Sequence, residues 1–160
     1  MKTANIIEIG DIEPFLTDDI CQDLHDIDDT FDPTREVLLF HGTKKEYVTT
    51  IIEQGLRLDK AKPGMFGKGI YFCERSQKAD QYSDDKRDRN SKGLIMLIAR
   101  VALGNVNMFN TGITFDSCDS IICGIRNPKL KFREILIGDD KQCFVQYVVV
   151  YDRNGQQVRK

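Results

Sequence analysis

Apolar positions fall into short runs whose period changes along the chain. Glu36 to His41 (EVLLFH) is apolar over too few residues for a helix, which predicts a strand. The period then lengthens: Tyr47, Val48, Ile51 and Ile52 recur at helical spacing between Lys44 and Gln54, and Gly55 stands where a helix C-terminus favours glycine. A strand thus delivers His41 to the mouth of a helix. Arg57 to Lys68 reads as a loop, Gly69 to Cys73 (GIYFC) as a second strand, and Glu74 to Tyr82 as a second helical stretch. The charged stretch Tyr82 to Lys92 predicts a mobile surface loop, and the nearly continuous apolar run Leu94 to Leu103 a buried strand. Gly104 to Lys131, interrupted by Gly112, Gly124 and Pro128, offers no period to assign. Glu134–Ile137 and Cys143–Tyr151 read as strands around Gly138-Asp139-Asp140, a turn signal that predicts a hairpin. Ahead of all this, Phe15, Leu16, Ile20, Leu24 and Ile27 predict a short amphipathic helix after Thr17, closed by a turn at Asp32-Pro33-Thr34. About six strands with two flanking helices predict an α+β fold with a mainly antiparallel sheet.

Composition narrows the class. At 160 residues and 41% hydrophobic, the chain suits one compact core. No apolar run reaches the roughly 18 to 20 residues of a membrane span, and Met1 to Gly10 lacks a secretory pattern, so a soluble intracellular protein with no membrane partner is expected. The five cysteines form no C-x-x-C pair, and neither His25 nor His41 lies near Cys118 and Cys123; free thiols and no metal are expected. Charge is uneven, because residues 1–34 hold ten of the 25 acidic residues but one of the 23 basic ones. That leaves 22 basic against 15 acidic residues, a surplus of seven, which suits a phosphate-bearing ligand or an acidic partner.

Three features stand out for chemistry: His41-Gly42-Thr43 closing a strand, the glycine-rich run Gly64 to Gly69 leading into Tyr71 and Phe72, and Glu134 opening a late strand. Each alone has a plain explanation. A half-buried histidine often serves structure, glycines permit tight turns, and a glutamate at a strand end is often just solvated. The glycine run also fits neither phosphate-loop pattern, since Lys68 precedes no Ser or Thr and the run does not open a helix.

Their joint occurrence is more specific. LLFHGT (38–43), GMFGKGIYF (64–72), SQKADQY (76–82) and FREILIGDDKQCFVQYVVVYD (132–152) together resemble the catalytic domain of poly(ADP-ribose) polymerases, in order and spacing, and look closest to the tankyrase-like branch. The resemblance spans roughly residues 36 to 152 and implies the ADP-ribosyltransferase fold, with split, mainly antiparallel sheets and flanking helices. It divides the chain into an acidic segment, 1–34, packed on or flanking a catalytic domain, 35–160.

The resemblance implies NAD⁺ as co-substrate, transfer of ADP-ribose to a protein acceptor or to the chain itself, and release of nicotinamide. His41, Tyr71 and Glu134 match the family's catalytic His-Tyr-Glu set, and the matching donor contacts are His41, Gly42, Thr43, Tyr71, Phe72, Lys78, Ala79 and Tyr82. In that scheme His41 bonds a ribose hydroxyl, the Gly42 backbone grips the carboxamide, and Tyr71 and Tyr82 sandwich the nicotinamide ring. Glu134 serves the positive charge that builds on the sugar. Lys78 lies toward the acceptor, and the loop Asp59 to Pro63 covers the donor, with Lys60 and Lys62 at the pyrophosphate. One position departs: seven residues after Phe72 the family usually has serine, and this chain has Ala79. That departure keeps open a sensor that binds NAD⁺ or ADP-ribose without turnover, and the basic surplus keeps open a nucleic-acid acceptor.

Overall fold

A computed structural model describes residues 5–9, 36–88, 90–108, 114–124 and 132–153. The amphipathic helix expected after Thr17 and the turn at residues 32–34 lie outside the described residues. Among the described residues eight strands form one hydrogen-bonded sheet: β1 (Asn5–Ile9), β2 (Glu36–Gly42), β3 (Ile70–Cys73), β4 (Leu94–Ala102), β5 (Val106–Asn107), β6 (Ser120–Cys123), β7 (Glu134–Ile137) and β8 (Cys143–Tyr151). Helix α1 (Lys45–Gln54) follows β2, and the short helix α2 (Ser76–Asp80) follows β3. The spatial order is β1-β8-β4-β2-β3-β7-β6-β5, antiparallel except where β1 joins β8 and β5 joins β6. The fold is therefore α+β with a mainly antiparallel sheet. No helix among the described residues is long and apolar enough to cross a membrane.

Strand alternation builds two apolar faces. On one, Val37 and Leu39 of β2, Leu97 and Val101 of β4, and Ile135 and Ile137 of β7 pack under Val48 of α1 and Leu56 just beyond it. The other face carries two separate clusters. Phe40, Met96, Ile98 and Val149 pack under Ala79 of α2, whereas Cys118, Ile121, Cys123 and Leu136 pack with Phe66 and Tyr71. The break between these clusters follows a break in the ladder. β2 and β4 share seven register pairs, but β2 and β3 share one, Phe40 with Cys73. Beyond that pair the strands fork, and the fork divides the sheet.

The predicted hairpin is absent: β7 pairs with β3 and β6, while β8 pairs with β4 and β1. The turn signal at Gly138 to Asp140 marks a change of direction into a 3-10 turn, Asp140–Gln142, not a two-strand loop. Asp139 caps that turn by accepting from the Lys141 amide at 2.9 Å, and Gln142 accepts from the Asp139 amide at 3.1 Å. Gln142 then donates to the Ala102 carbonyl at 3.1 Å, which carries the chain over to β4. The unassigned stretch 104–131 contributes β5 and β6, too short to show a period.

The described residues of the segment expected to be a mobile surface loop form no helix or strand, and they are tied to the end of β8. Arg153 follows β8 with a side chain only 5% exposed, and its guanidinium bonds both carboxylate oxygens of Asp80 and of Asp84 at 2.9–3.0 Å. It also donates to the main-chain carbonyls of Asp80 (2.9 Å) and Asp88 (3.1 Å). Periodicity could not reveal this, because the partners are some seventy residues apart in sequence.

Burial opposes the charge on Asp84, but hydrogen bonds from Ser91, the Arg87 amide and Arg153 outweigh it and hold this carboxyl below its ordinary range. A depressed folded pKa contributes stability that is present above the unfolded value of about 3.9 and is lost as pH falls below it and through the lower folded value. The urea midpoint of the native chain should therefore exceed that of Asp84→Asn at about pH 6, and the gap should narrow toward about pH 3. A gap constant with pH would contradict this assignment of the charge.

Candidate active site

His41 sits in the fork. Where β2 and β3 part, its Nδ1 lies 2.8 Å from the Tyr71 carbonyl oxygen, replacing a ladder bond that the splayed strands cannot make. Phe72 supports the ring from behind, with centroids 5.7 Å apart and tilted by 57°. A carbonyl only accepts, so Nδ1 carries the proton and the neutral ring leaves Nε2 as an acceptor. Burial lowers the imidazole pKa, and the carbonyl bond opposes that only in part. The ring is therefore neutral at neutral pH, with a lone pair suited to a sugar hydroxyl.

Tyr71 lies on the opposite face of β3 from Phe72, within the cluster of Leu136 and Phe66. Its hydroxyl donates to the Gly67 carbonyl at 2.8 Å and accepts from the Phe66 amide at 3.0 Å. The turn 64–67 is closed by mutual amide bonds between Gly64 and Gly67. A Cβ on Gly64 would meet the Tyr71 ring at 2.7 Å, so glycine is what lets this turn clamp the phenol. Burial raises the phenol pKa and the Glu134 charge adds to it, so the group stays protonated.

Glu134 opens β7 between two thiols: Cys73 of β3 is its register partner on one side and Cys123 of β6 on the other. It therefore stands at the seam of the two apolar clusters. Burial and the Glu134 charge push the Cys73 thiol far up and Cys123 to about 12, so both flanks stay neutral. Lys78 of α2 supplies the balancing charge, with Nζ 2.6 Å from Glu134 Oε1 and both side chains less than 20% exposed. Burial lowers the ammonium pKa, but the hydrogen bond and charge of Glu134, with Tyr82, outweigh it, so Lys78 remains charged. Its Nζ also lies 5.3 Å from the centre of the exposed Tyr82 ring. One step before Glu134, Arg133 forks onto the buried Glu74, next to Cys73, with bonds of 2.9 and 2.5 Å that extend the β3/β7 pairing beyond the carboxylate.

Gly42 ends β2 against α2. A Cβ there would lie 1.9 Å from the Ala79 carbonyl oxygen and 3.0 Å from the Tyr82 Cβ, so any side chain would drive α2 away. Ala79 has no exposed surface, and Thr43 is buried beyond the strand. Phe72 is likewise buried in the core, behind His41 and away from solvent. Lys60 and Lys62 are exposed on a loop whose Arg57 and Asp59 pair with each other at 2.8 Å. Motif reading did not single out Arg133, Glu74, Asp80, Asp84 or Arg153, whose partners are distant in sequence; the one local hint is an arginine two residues past the end of an apolar strand. Among the described residues Cys73, Cys118, Cys123 and Cys143 are free thiols, and no group of three or more His, Cys, Asp or Glu side chains is placed to hold a metal ion.

The tautomer is open to direct measurement. With only two histidines, long-range ¹⁵N–¹H spectra of the chain and of His41→Gln identify the His41 ring. The expected pattern at neutral pH is a protonated Nδ1 and a bare Nε2; protonation at Nε2 alone would break the link to Tyr71.

With this geometry in place, comparison with known proteins gives a consistent picture. The family model described as the poly(ADP-ribose) polymerase catalytic domain matches residues 3–120. That span contains His41, Tyr71, Lys78 and Tyr82; Glu134 lies beyond it. Poly(ADP-ribose) polymerase 1 of Arabidopsis thaliana is 39% identical over 88 residues, covering 49% of this chain and 9% of that protein. Poly(ADP-ribose) polymerase 2 of Homo sapiens is 36% identical over 75 residues, 44% of this chain and 12% of its own length. A protein mono-ADP-ribosyltransferase of Gallus gallus is 37% identical over 67 residues, 42% of this chain and 12% of its own. The matched segments thus amount to 9–12% of these three relatives.

Proposed function

The chain belongs to the poly(ADP-ribose) polymerase catalytic domain family, and on that premise we propose that it transfers ADP-ribose from NAD⁺ to a protein acceptor or to itself, releasing nicotinamide. What supports this reading is the contact at the fork between the neutral imidazole of His41 and the main chain of Tyr71, whose clamped phenol feels the charge of Glu134 on the neighbouring strand. On the four motif stretches we assign the chain to the tankyrase-like branch, with 35–160 as the catalytic domain and 1–34 as its acidic flank.

In this reading the bond between nicotinamide and C1′ of the ribose breaks, and its electron pair leaves with nicotinamide. The acceptor's nucleophile then forms the new bond at C1′ and loses its proton. Positive charge grows on the sugar as the bond lengthens, and a carboxylate in a partly buried setting stabilises such charge far better than it would in water. Glu134 is that group. His41 Nε2 accepts from a ribose hydroxyl and fixes the sugar, while Tyr71 and Tyr82 line the two faces of the nicotinamide ring. The Gly42 main chain grips the carboxamide through its N–H and C=O, and its missing side chain is what lets α2 pack against the end of β2.

Turnover of labelled NAD⁺ tests the reading. In Glu134→Gln nicotinamide release should fall about 10²-fold or more through kcat, with little change in KM. Equal labelling of both proteins would falsify the mechanism, and a ladder against a single band separates polymer from single transfer. Ala79 favours the second reading, binding without turnover, which predicts that the native chain retains labelled NAD⁺ and releases no nicotinamide. A hydroxyl restored by Ala79→Ser should lower KM for NAD⁺ by a few-fold, the worth of about one hydrogen bond. An unchanged or raised KM would place residue 79 out of reach of the ring.

A further inference from the structure

We propose that Arg153 is a positioning residue for the donor site: through Asp80 and Asp84 it sets where Tyr82 stands against Gly42, and so governs affinity for NAD⁺. The inference rests on the transferase reading above.

Tyr82 is exposed, yet the residues around it are anchored. Two positions before it, Asp80 gives both carboxylate oxygens and its main-chain carbonyl to Arg153. One position after it, the buried Ser83 hydroxyl donates to the Ile95 carbonyl at 3.1 Å and lies 2.8 Å from the Tyr151 hydroxyl. Tyr151 in turn donates to Asp80 at 2.5 Å. Beyond Ser83, Asp84 takes the Arg153 Nη1 fork, and the Arg153 amide donates to the Ser91 carbonyl at 2.9 Å. The ring wall is thus suspended from the end of β8. Opposite it, Gly42 leaves no room for even a methyl group before the Ala79 carbonyl and the Tyr82 Cβ. A small displacement of α2 therefore changes the spacing between Tyr82 and the β2 edge directly.

Affinity should respond more than the chemical step. Contact with a flat ring weakens steeply over a few tenths of an ångström. Lys78 reaches Glu134 on a flexible four-carbon stem, which absorbs such a displacement, and β7 holds Glu134 by its own ladder. Arginine is suited to the task because its rigid plane presents Nε to Asp80 and Nη1 to Asp84 on separate nitrogens held at a fixed spacing, whereas an ammonium offers all its donors from one freely rotating nitrogen.

The test is a double-mutant cycle on the full chain, reading KM and kcat for nicotinamide release from NAD⁺. Arg153→Lys keeps the charge but loses the double fork, and Asp84→Asn weakens one arm while leaving Asp80 engaged; circular dichroism shows that each is folded. Each should raise KM about fivefold to tenfold with kcat changed less than about twofold. In a Tyr82→Ala background the same substitutions should change KM less than about twofold, because the ring they position is gone. An equal rise in both backgrounds overturns the proposal, as does an unchanged KM accompanied only by a lower melting temperature. Should the native chain release no nicotinamide, the transferase reading falls first; release without coupling sinks the Arg153 proposal alone.

Discussion

A single register pair, Phe40 with Cys73, joins the two halves of the sheet, and the rest of the site follows from how little that joint spans. Strands that part leave backbone groups without ladder partners, and a buried orphan carbonyl costs as much as a lost hydrogen bond. Here the deficit is met by side chains: His41 Nδ1 takes the Tyr71 carbonyl, and the Cys73 thiol lies 3.5 Å from the Phe40 carbonyl. The imidazole thereby satisfies the fold and acquires a fixed tautomer in the same contact. An asparagine or glutamine side chain could satisfy the carbonyl, yet neither would leave a ring nitrogen lone pair facing outward. The fork therefore explains why a histidine that looks structural also looks chemical.

The same fork divides the second apolar face, and Glu134 occupies the seam. A carboxylate buried in either cluster would lose its charge or need a full ion pair. Placed between them, it is flanked by two thiols that burial keeps neutral and is paired with Lys78 at 2.6 Å. The pair is partly exposed, so its attraction is strong enough to orient the carboxylate and weak enough to be shared with a ligand that brings positive charge of its own. The Arg133 to Glu74 fork stiffens the ladder at this point, one residue from the carboxylate.

How much of this could be read in the chain depended on the range of each interaction. Strand β2 with its helix, strand β3 and the buried strand β4 were legible, because their cues lie within a few residues of one another. His41, Tyr71 and Glu134 stood out as motif residues, although no local pattern says that the first two are joined through a main-chain carbonyl. The last two strands were found and their pairing was missed: Asp139 and Gln142 announce a capped turn, but Gln142 chooses a partner forty residues away. The two-residue strand β5 carries no periodicity at all. The charged stretch Tyr82 to Lys92 read as a mobile surface loop because the arginine that binds Asp84 and the Asp88 carbonyl lies at the far end of the sequence.

That last case bears on why ionic groups are buried here at all. Replacing a buried ion pair with apolar residues of similar volume often leaves a protein as stable or more so, hence stability alone does not account for an arginine enclosed by Asp80 and Asp84. An apolar plug would hold the segment against β8 with many nearly equivalent packings. A guanidinium whose Nε faces one carboxylate and whose Nη1 faces the other admits far fewer, since its rigid plane fixes both at once. The segment they secure bears Lys78 and Tyr82, which meet the carboxylate and the bare backbone of Gly42 at contact distance. Where a surface must be placed that finely, geometric exactness is worth its desolvation cost, and the cost falls on residues remote from the chemistry.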